Sequence, residues 1–535
     1  MQKQDLSYNL KNAKIDVDNF KVSVEVFSLE NVYSVDEYFV KENTYVSNNI
    51  LWGDTEKTEG YVNLSIDKKE NINFIIEAKL DKLIRGVKLR FDDLPLGKLI
   101  SSVDEDKVIT EAGLVMPYPC AWRGITTPLV VFELEDKKYL FIRIKDRVVR
   151  EKRFFIKKVN GKMRVDVGFD EDGTKISNHI LTPEIEYGIV DDKEEIYQIQ
   201  SDFMKEIFEL EEYENNKISP SWLKDISLVV TMHMEAFTGH IFHTYDKALK
   251  DIEVLTKYID GKKILVYLAG WEGRYYYKYG NYTCDSRLGG EEKLKEVVKK
   301  MQDLGCKVMA MYGMNIANKT IPAIKEMLSE VEIENVSGAK YHHGSVNWEG
   351  AHHYDFNDLM QLNIGNPKWQ DYLFEQIKDA TLKYNFDGAF LDIVAGYAND
   401  KNYSIYNGVV EFCDRLRNIK EEFLVSGEAF YDGLAKAMPL FQSGHTDGWM
   451  HYHDRVSDKL FTRYCREFAH LCLGDPSRGS SGVHELGTNT EISAPYRKAI
   501  IPTLSLVEDS IEVAFDEVKK IIDQANKYYD EFLKW

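Results

Sequence analysis

The chain has 535 residues, more than one hydrophobic core usually supports, so two large domains are expected. Hydrophobic residues at 44% and charged residues at 29% describe a soluble globular protein rather than a disordered or membrane-embedded one. The 68 basic against 88 acidic residues leave a formal charge of -20, which repels phosphate backbones and anionic membrane surfaces, so neither nucleic acid nor membrane is an expected partner.

Cys120, Cys284, Cys306, Cys413, Cys465 and Cys472 are scattered without C-x-x-C spacing, which suggests neither a disulfide framework nor a zinc knuckle. The opening M-Q-K-Q-D-L-S-Y-N-L has no apolar h-region, and no uncharged apolar run is long enough to cross a bilayer, so the sequence reads as cytoplasmic.

Residues 1-195 carry short β-branched and aromatic runs between turn signals: from Phe20, Tyr61, Ile72, Tyr139 and Met163. Their alternation predicts half-buried antiparallel strands. V-N-G-K at Val159 to Lys162 and D-E-D-G at Asp170 to Gly173 suit hairpin connections, so this part is expected to be a β-sandwich. Residues 196-224 read as a helical linker, with an amphipathic helix from Ile196 and N-N-K-I-S-P-S-W after it.

From residue 225 to 535 the pattern becomes strand, loop, helix, repeated, the signature of a parallel sheet with crossover helices. Strands are expected from Ile226, from Lys263 to Trp271, from Lys307, from Asp387 to Asp392 and up to Glu428. M-P-L-F-Q-S-G-H-T-D-G, H-L-C-L-G-D and I-I-P-T-L-S-L-V supply a sixth, seventh and eighth, and a helix from Ser510 closes the series. The fold class is thus α/β, a (β/α)8 TIM barrel preceded by an antiparallel β-sandwich domain.

Two segments carry the chemistry: F-D-G-A-F-L-D, Phe386 to Asp392, and F-L-V-S-G-E, Phe423 to Glu428. Each is an apolar strand ending on a carboxylate, and the C-terminal tips of barrel strands are where such folds do chemistry. Side chains alternate along a strand, so Gly388, Phe390 and Asp392 share one face and Asp387 lies on the other. If the two strands are neighbours, their spacing of about 4.8 Å approaches the ~5.5 Å carboxyl separation of a retaining glycosidase. Asp392 is then the nucleophile and Glu428, its proton held by burial and a neighbouring negative charge, the acid/base. Asp387 is expected to fix the turn into its strand.

The D-G-A-F-L-D strand, followed one unit later by V-S-G-E-A, resembles the fourth and fifth strands of retaining TIM-barrel glycoside hydrolases of the α-amylase-like type. It is also similar to endo-α-N-acetylgalactosaminidases and related proteins that place a β-sandwich ahead of the barrel. N-I-G-N-P-K-W-Q-D-Y-L, from Asn363, resembles the stretch leading into that fourth strand. The resemblance implies a retaining mechanism on α-linked sugars. Phe390 stands where the amylase pattern has arginine, which speaks against starch-type substrates.

Other polar and aromatic residues collect at the expected mouth. The segment His445 to Arg455 packs three histidines and two aspartates around Trp449; Asp454 is the candidate third carboxylate, with Asp447 and Asp475 as competitors. His233 and His453 are further candidate sugar contacts. Trp271, Trp348 and Trp449 are candidate stacking platforms for pyranose faces, as is the Y-Y-Y-K-Y run from Tyr275; barrel tryptophans serve equally often as core. The substrate is expected to be an oligosaccharide or glycoside, with no cofactor and no catalytic metal. Two alternatives stand beside this reading: a catalytically silent carbohydrate-binding protein on the same fold, and a metal-dependent barrel hydrolase using His451 and His453. The second wants its H-x-H on the first strand, where the chain has only H-M-E at His233 to Glu235.

Overall fold

The computed structural model describes residues 12–53, 56–100, 107–119, 125–235, 239–273, 278–340, 359–443, 463–469 and 496–534. The first part is a large antiparallel assembly of 17 strands. Its spine is the 23-residue strand Ile72–Leu94, which pairs with Phe20–Ser28, Lys57–Lys68, Lys162–Asp170, Ser177–Leu181 and Glu184–Val190. Inward residues such as Val24, Leu64, Phe74, Leu89, Phe91 and Val167 form its own core, as the alternation predicts. The V-N-G-K turn joins Lys152–Val159 to Lys162–Asp170, and positive φ at Asn160 and Gly161 gives the mirror-image turn that matches strand twist.

D-E-D-G behaves differently from the expected hairpin. Lys162–Asp170 and Ser177–Leu181 lie end to end along the same strand, Ile72–Leu94, so residues 171–176 are an excursion from a continuing line. Asp172 caps the short 3-10 turn Gly173–Lys175 there.

The linker helix runs over Lys193–Phe208, three residues earlier than expected, because Asp192 caps it by accepting from the Glu194 amide. Beyond it lies a nine-stranded, wholly parallel sheet. In chain order its strands are Leu228–His233, Ile264–Ala269, Lys307–Gly313, Gly388–Asp392, Leu424–Glu428, Leu440–Ser443, Arg466–Ala469, Ile500–Ile501 and Thr503–Leu506. Thr503–Leu506 pairs with the first strand and Ile500–Ile501 with the seventh, and Pro502 alone separates them, so the sheet is nearly closed. Pro502 has no N–H for a ladder, which explains the interruption. The expected seventh strand, His470 to Asp475, lies outside the described residues; the observed one sits just before it.

Helices Tyr245–Leu255, Gly290–Asp303, Pro367–Tyr384, Ile405–Arg417 and Phe515–Tyr528 connect or close the units. Inside the sheet, Tyr267, Phe390 and Phe468 meet across the interior, with ring centroids 4.5, 5.8 and 6.0 Å apart. These rings identify the inward face of three strands. Among the described residues no helix is long and apolar enough to cross a membrane, and Cys284, Cys306, Cys413 and Cys465 are free thiols.

Candidate active site

Because Phe390 points inward, Asp392, two residues on, does so too. The parallel register pairs Phe390 with Ser426 and Leu391 with Gly427, which places Glu428 on the same inward face of the adjacent strand. Tyr267 and Thr231 are in register, so Ala269 and His233 also end on this face. Asp392, Glu428 and His233 are therefore brought together at the C-terminal rim, all three buried. Asp387 faces away and fixes the strand entry, accepting from the Val308 amide at 3.0 Å and from Gln302 at 2.9 Å.

The two carboxylates are tied through the backbone: the Ile393 amide, next to Asp392, donates to Oε2 of Glu428 at 3.0 Å. The residue after each acid is left-handed, with φ of 60° at Ile393 and 65° at Ala429. Such a conformation costs roughly 1–2 kcal/mol for an L-residue. It persists only where surroundings fix it, and it clusters at functional sites.

Tyr279 donates its hydroxyl to Oδ2 of Asp392 at 2.5 Å. Its ring fits because residue 313, which pairs with Asp392, is glycine; a Cβ there would lie 2.2 Å from Tyr279 Cδ2. Tyr282 holds that glycine from both sides, its oxygen accepting from the Gly313 amide and donating to the Gly313 carbonyl. Tyr279 is the last residue of Y-Y-Y-K-Y, where aromatic density was legible but this polar role was not.

Two further acids follow the first two strands. Glu235 pairs with Arg287, which also holds Asp285 at 2.9 Å. Burial raises its carboxyl above the usual range, against the opposing pull of Arg287. Glu272 is 1% exposed, and neither of its carboxyl oxygens has a hydrogen-bond partner among the described residues. Burial pushes it up to about 8, and the nearby charges of Glu235 and Asp392 add to the rise. At neutral pH it therefore keeps its proton, a hydrogen-bond donor in the neighbourhood of Asp392 and Glu235. Neither glutamate stood out in the sequence as a site acid; an acid within three residues of a strand tip was the signal available.

Trp271 corrects an expectation. It is 0% exposed, its indole N–H donates to the Met311 carbonyl at 3.0 Å, and it packs edge-on against Tyr312, Tyr384 and Phe386. No face remains for a sugar. His233 places Nε2 3.1 Å from Ser505 Oγ on the closing strand. Trp348, Trp449, His453 and Asp454, with the His451 to His453 pair, lie outside the described residues. Among those described, no group of three or more His, Cys, Asp or Glu side chains could hold a metal ion.

Residues 289–425 match the model for Glycosyl hydrolase family 66, a stretch that contains Asp392 and ends three residues before Glu428. Comparison with curated proteins finds no match. Among solved structures, the chain is similar to the α-N-acetylgalactosaminidase NagBb from Bifidobacterium bifidum in its GalNAc complex, at 10% identity and a TM-score of 0.66, covering 96% of this chain and 93% of that one. It is similar to the galactosidase domain of the α-galactosidase-sucrose kinase AgaSK, at 12% identity and a TM-score of 0.56, over 96% and 73%. The GH36 α-galactosidase AgaA from Geobacillus stearothermophilus gives 11% identity and a TM-score of 0.51, over 96% and 74%. At these identities the likeness is one of fold. The family match and that fold together support a glycoside hydrolase.

Proposed function

We propose that the chain is a retaining glycoside hydrolase acting on α-linked sugars of the galactose type. In this reading residues 225–535 form a (β/α)8 barrel, residues 1–195 a β-sandwich, and residues 196–224 a helical linker. The observation that carries it is the inward-facing pair at the tips of adjacent strands, Asp392 and Glu428, joined by the Ile393 amide. Adjacent strands stand about 4.8 Å apart, which suits a carboxyl nucleophile better than a water-activating base across a wider gap. The galactose-type sugar is suggested by the names of the similar structures.

In the first step Asp392 attacks the anomeric carbon as the bond to the leaving oxygen breaks, and Glu428 gives its proton to that oxygen. The Tyr279 hydroxyl holds Asp392 in line by donating to its Oδ2. In the second step Glu428 takes a proton from water, the water oxygen attacks the same carbon, and Asp392 departs as carboxylate. The protonated Glu272 offers a sugar hydroxyl one donor and one acceptor, and His233 reaches the same rim. Asp454, with Trp348, Trp449 and His453, is assigned to sugar binding on sequence grounds, Asp454 as the third carboxylate.

An activated 2-fluoro galactosyl substrate should trap a glycosyl ester, and peptide mapping should place it on Asp392. A label on another residue, or product of inverted anomeric configuration by NMR, would overturn the assignment.

A further inference from the structure

The loops that follow the two acids both leave the parallel sheet and end on one surface of the N-terminal sheet domain. After Asp392, Tyr397 donates to the Val149 carbonyl at 3.4 Å. Asn399 then bridges the excursion at residues 171–176: its Oδ1 accepts from the Gly173 amide at 2.7 Å and its Nδ2 donates to the Glu171 carbonyl at 2.8 Å. The fit leaves no slack, since a Cβ on Gly173 would lie 2.4 Å from the Asp400 carbonyl oxygen. After Glu428, the Asp432 amide donates to the Thr126 carbonyl at 2.8 Å, and Tyr118 donates its hydroxyl to Oδ1 of Asp432 at 2.6 Å. A Cβ on Gly433 would strike Val149 at 2.7 Å, so this one residue of the N-terminal domain touches both loops.

We propose that the N-terminal sheet domain is a positioning clamp for the catalytic pair, with Tyr118 setting Glu428 through Asp432 and the 171–176 excursion setting Asp392 through Asn399. This rests on the retaining assignment above. Three features carry it. The residue directly after each acid is held left-handed, a conformation that persists only where its surroundings fix it. The anchors lie close, four residues beyond Glu428 and seven beyond Asp392. They are also directional and buried: Tyr118 and Asp432 are both covered, and Lys152 sits 4.9 Å over the Tyr118 ring while paired to Asp146 at 3.0 Å. A surface built only to join two domains has no need to interrupt an otherwise continuous strand to reach an active-site loop.

The leaving group provides the test. Departure of 2,4-dinitrophenolate needs no acid, whereas phenolate departure does. With 2,4-dinitrophenyl and phenyl α-galactosides as probes, Glu428→Gln should lose kcat/KM on the phenyl substrate and nearly keep it on the other. Tyr118→Phe should show the same split more weakly, about tenfold on the phenyl glycoside and within about twofold on the dinitrophenyl one. Asp432→Ala should reproduce it, and Asp432→Asn, which retains the acceptor oxygen, should restore it. If Glu428→Gln shows no split, the acid/base assignment falls. A split in Glu428→Gln with equal losses, or none, on both substrates in Tyr118→Phe and Asp432→Ala would overturn the clamp alone.

Discussion

Tyr279, from the loop after the second parallel strand, and Asp392, the last residue of the fourth, share a hydrogen bond of 2.5 Å inside a site that Gly313 keeps open for the tyrosine ring. A hydroxyl donating to a carboxylate is worth about 1.5–3 kcal/mol, and here it fixes the orientation of the Asp392 carboxyl through Oδ2. Tyr279→Phe should lower kcat about 10- to 100-fold with little change in KM, measured on an aryl α-galactoside. Gly313→Ala should mimic that loss, because its new methyl displaces the ring, and should also lower the melting temperature.

Trp271 separates packing from recognition. Trp271→Phe deletes the indole N–H and strands the Met311 carbonyl, so it should destabilise the fold by about 1–3 kcal/mol. A ring buried against Tyr312, Tyr384 and Phe386 contributes no sugar contact, so KM should stay within about twofold of wild type. A large rise in KM at unchanged stability would show that the ring reaches substrate after all.

The same residue shows where sequence reading reached its limit. Period-two alternation separated Asp392 from Asp387 within one strand, because strand geometry leaves a side chain only two directions; that Glu428 shares the face of Asp392 follows from the pairing register of the two strands. Nothing comparable governs a loop. Gly270 turns the chain at a φ of 68°, and that turn, not residue type, sends Trp271 inward. The polar role of Tyr279 depends on an empty space at Gly313, a contact between distant segments that no local spacing encodes. The seventh strand was displaced for another reason: Arg466 is a buried charge that breaks an apolar pattern, tolerated because its guanidinium lies 3.9 Å over the Tyr213 ring. The large units were legible because repeated strand and helix periods outlast such local exceptions.

Glu272 should govern part of the pH dependence of stability. Its folded pKa of about 8 lies above its ordinary 4.5, so between these values the folded protein holds a proton that the unfolded chain has released. The contribution of Glu272 to stability is therefore greatest below about pH 4.5, falls as pH rises, and levels off above about 8, by on the order of 4–5 kcal/mol in total. Glu272→Gln copies the neutral form. The gap between variant and wild type, followed by urea midpoint from pH 5 to pH 8.5, should widen steadily in favour of the variant. A constant gap would mean that Glu272 is ionised throughout.

Asp432 should act in the same direction over a lower window. Burial pushes it up to about 6 from 3.8, although hydrogen bonds from Tyr118 and Thr127 and the charge of Lys152 favour its ionised form. Wild-type stability should fall by about 3 kcal/mol between roughly pH 4 and pH 6, relative to Asp432→Asn, and stay level above. The substitution is conservative, since an amide oxygen at Oδ1 can still accept from Tyr118 and from the Gly433 amide. Urea midpoints at pH 4, 5, 6 and 7 would measure the difference; because all other groups titrate alike in both proteins, a flat difference would assign the ionised form to Asp432 across the range and remove this residue as a source of pH dependence.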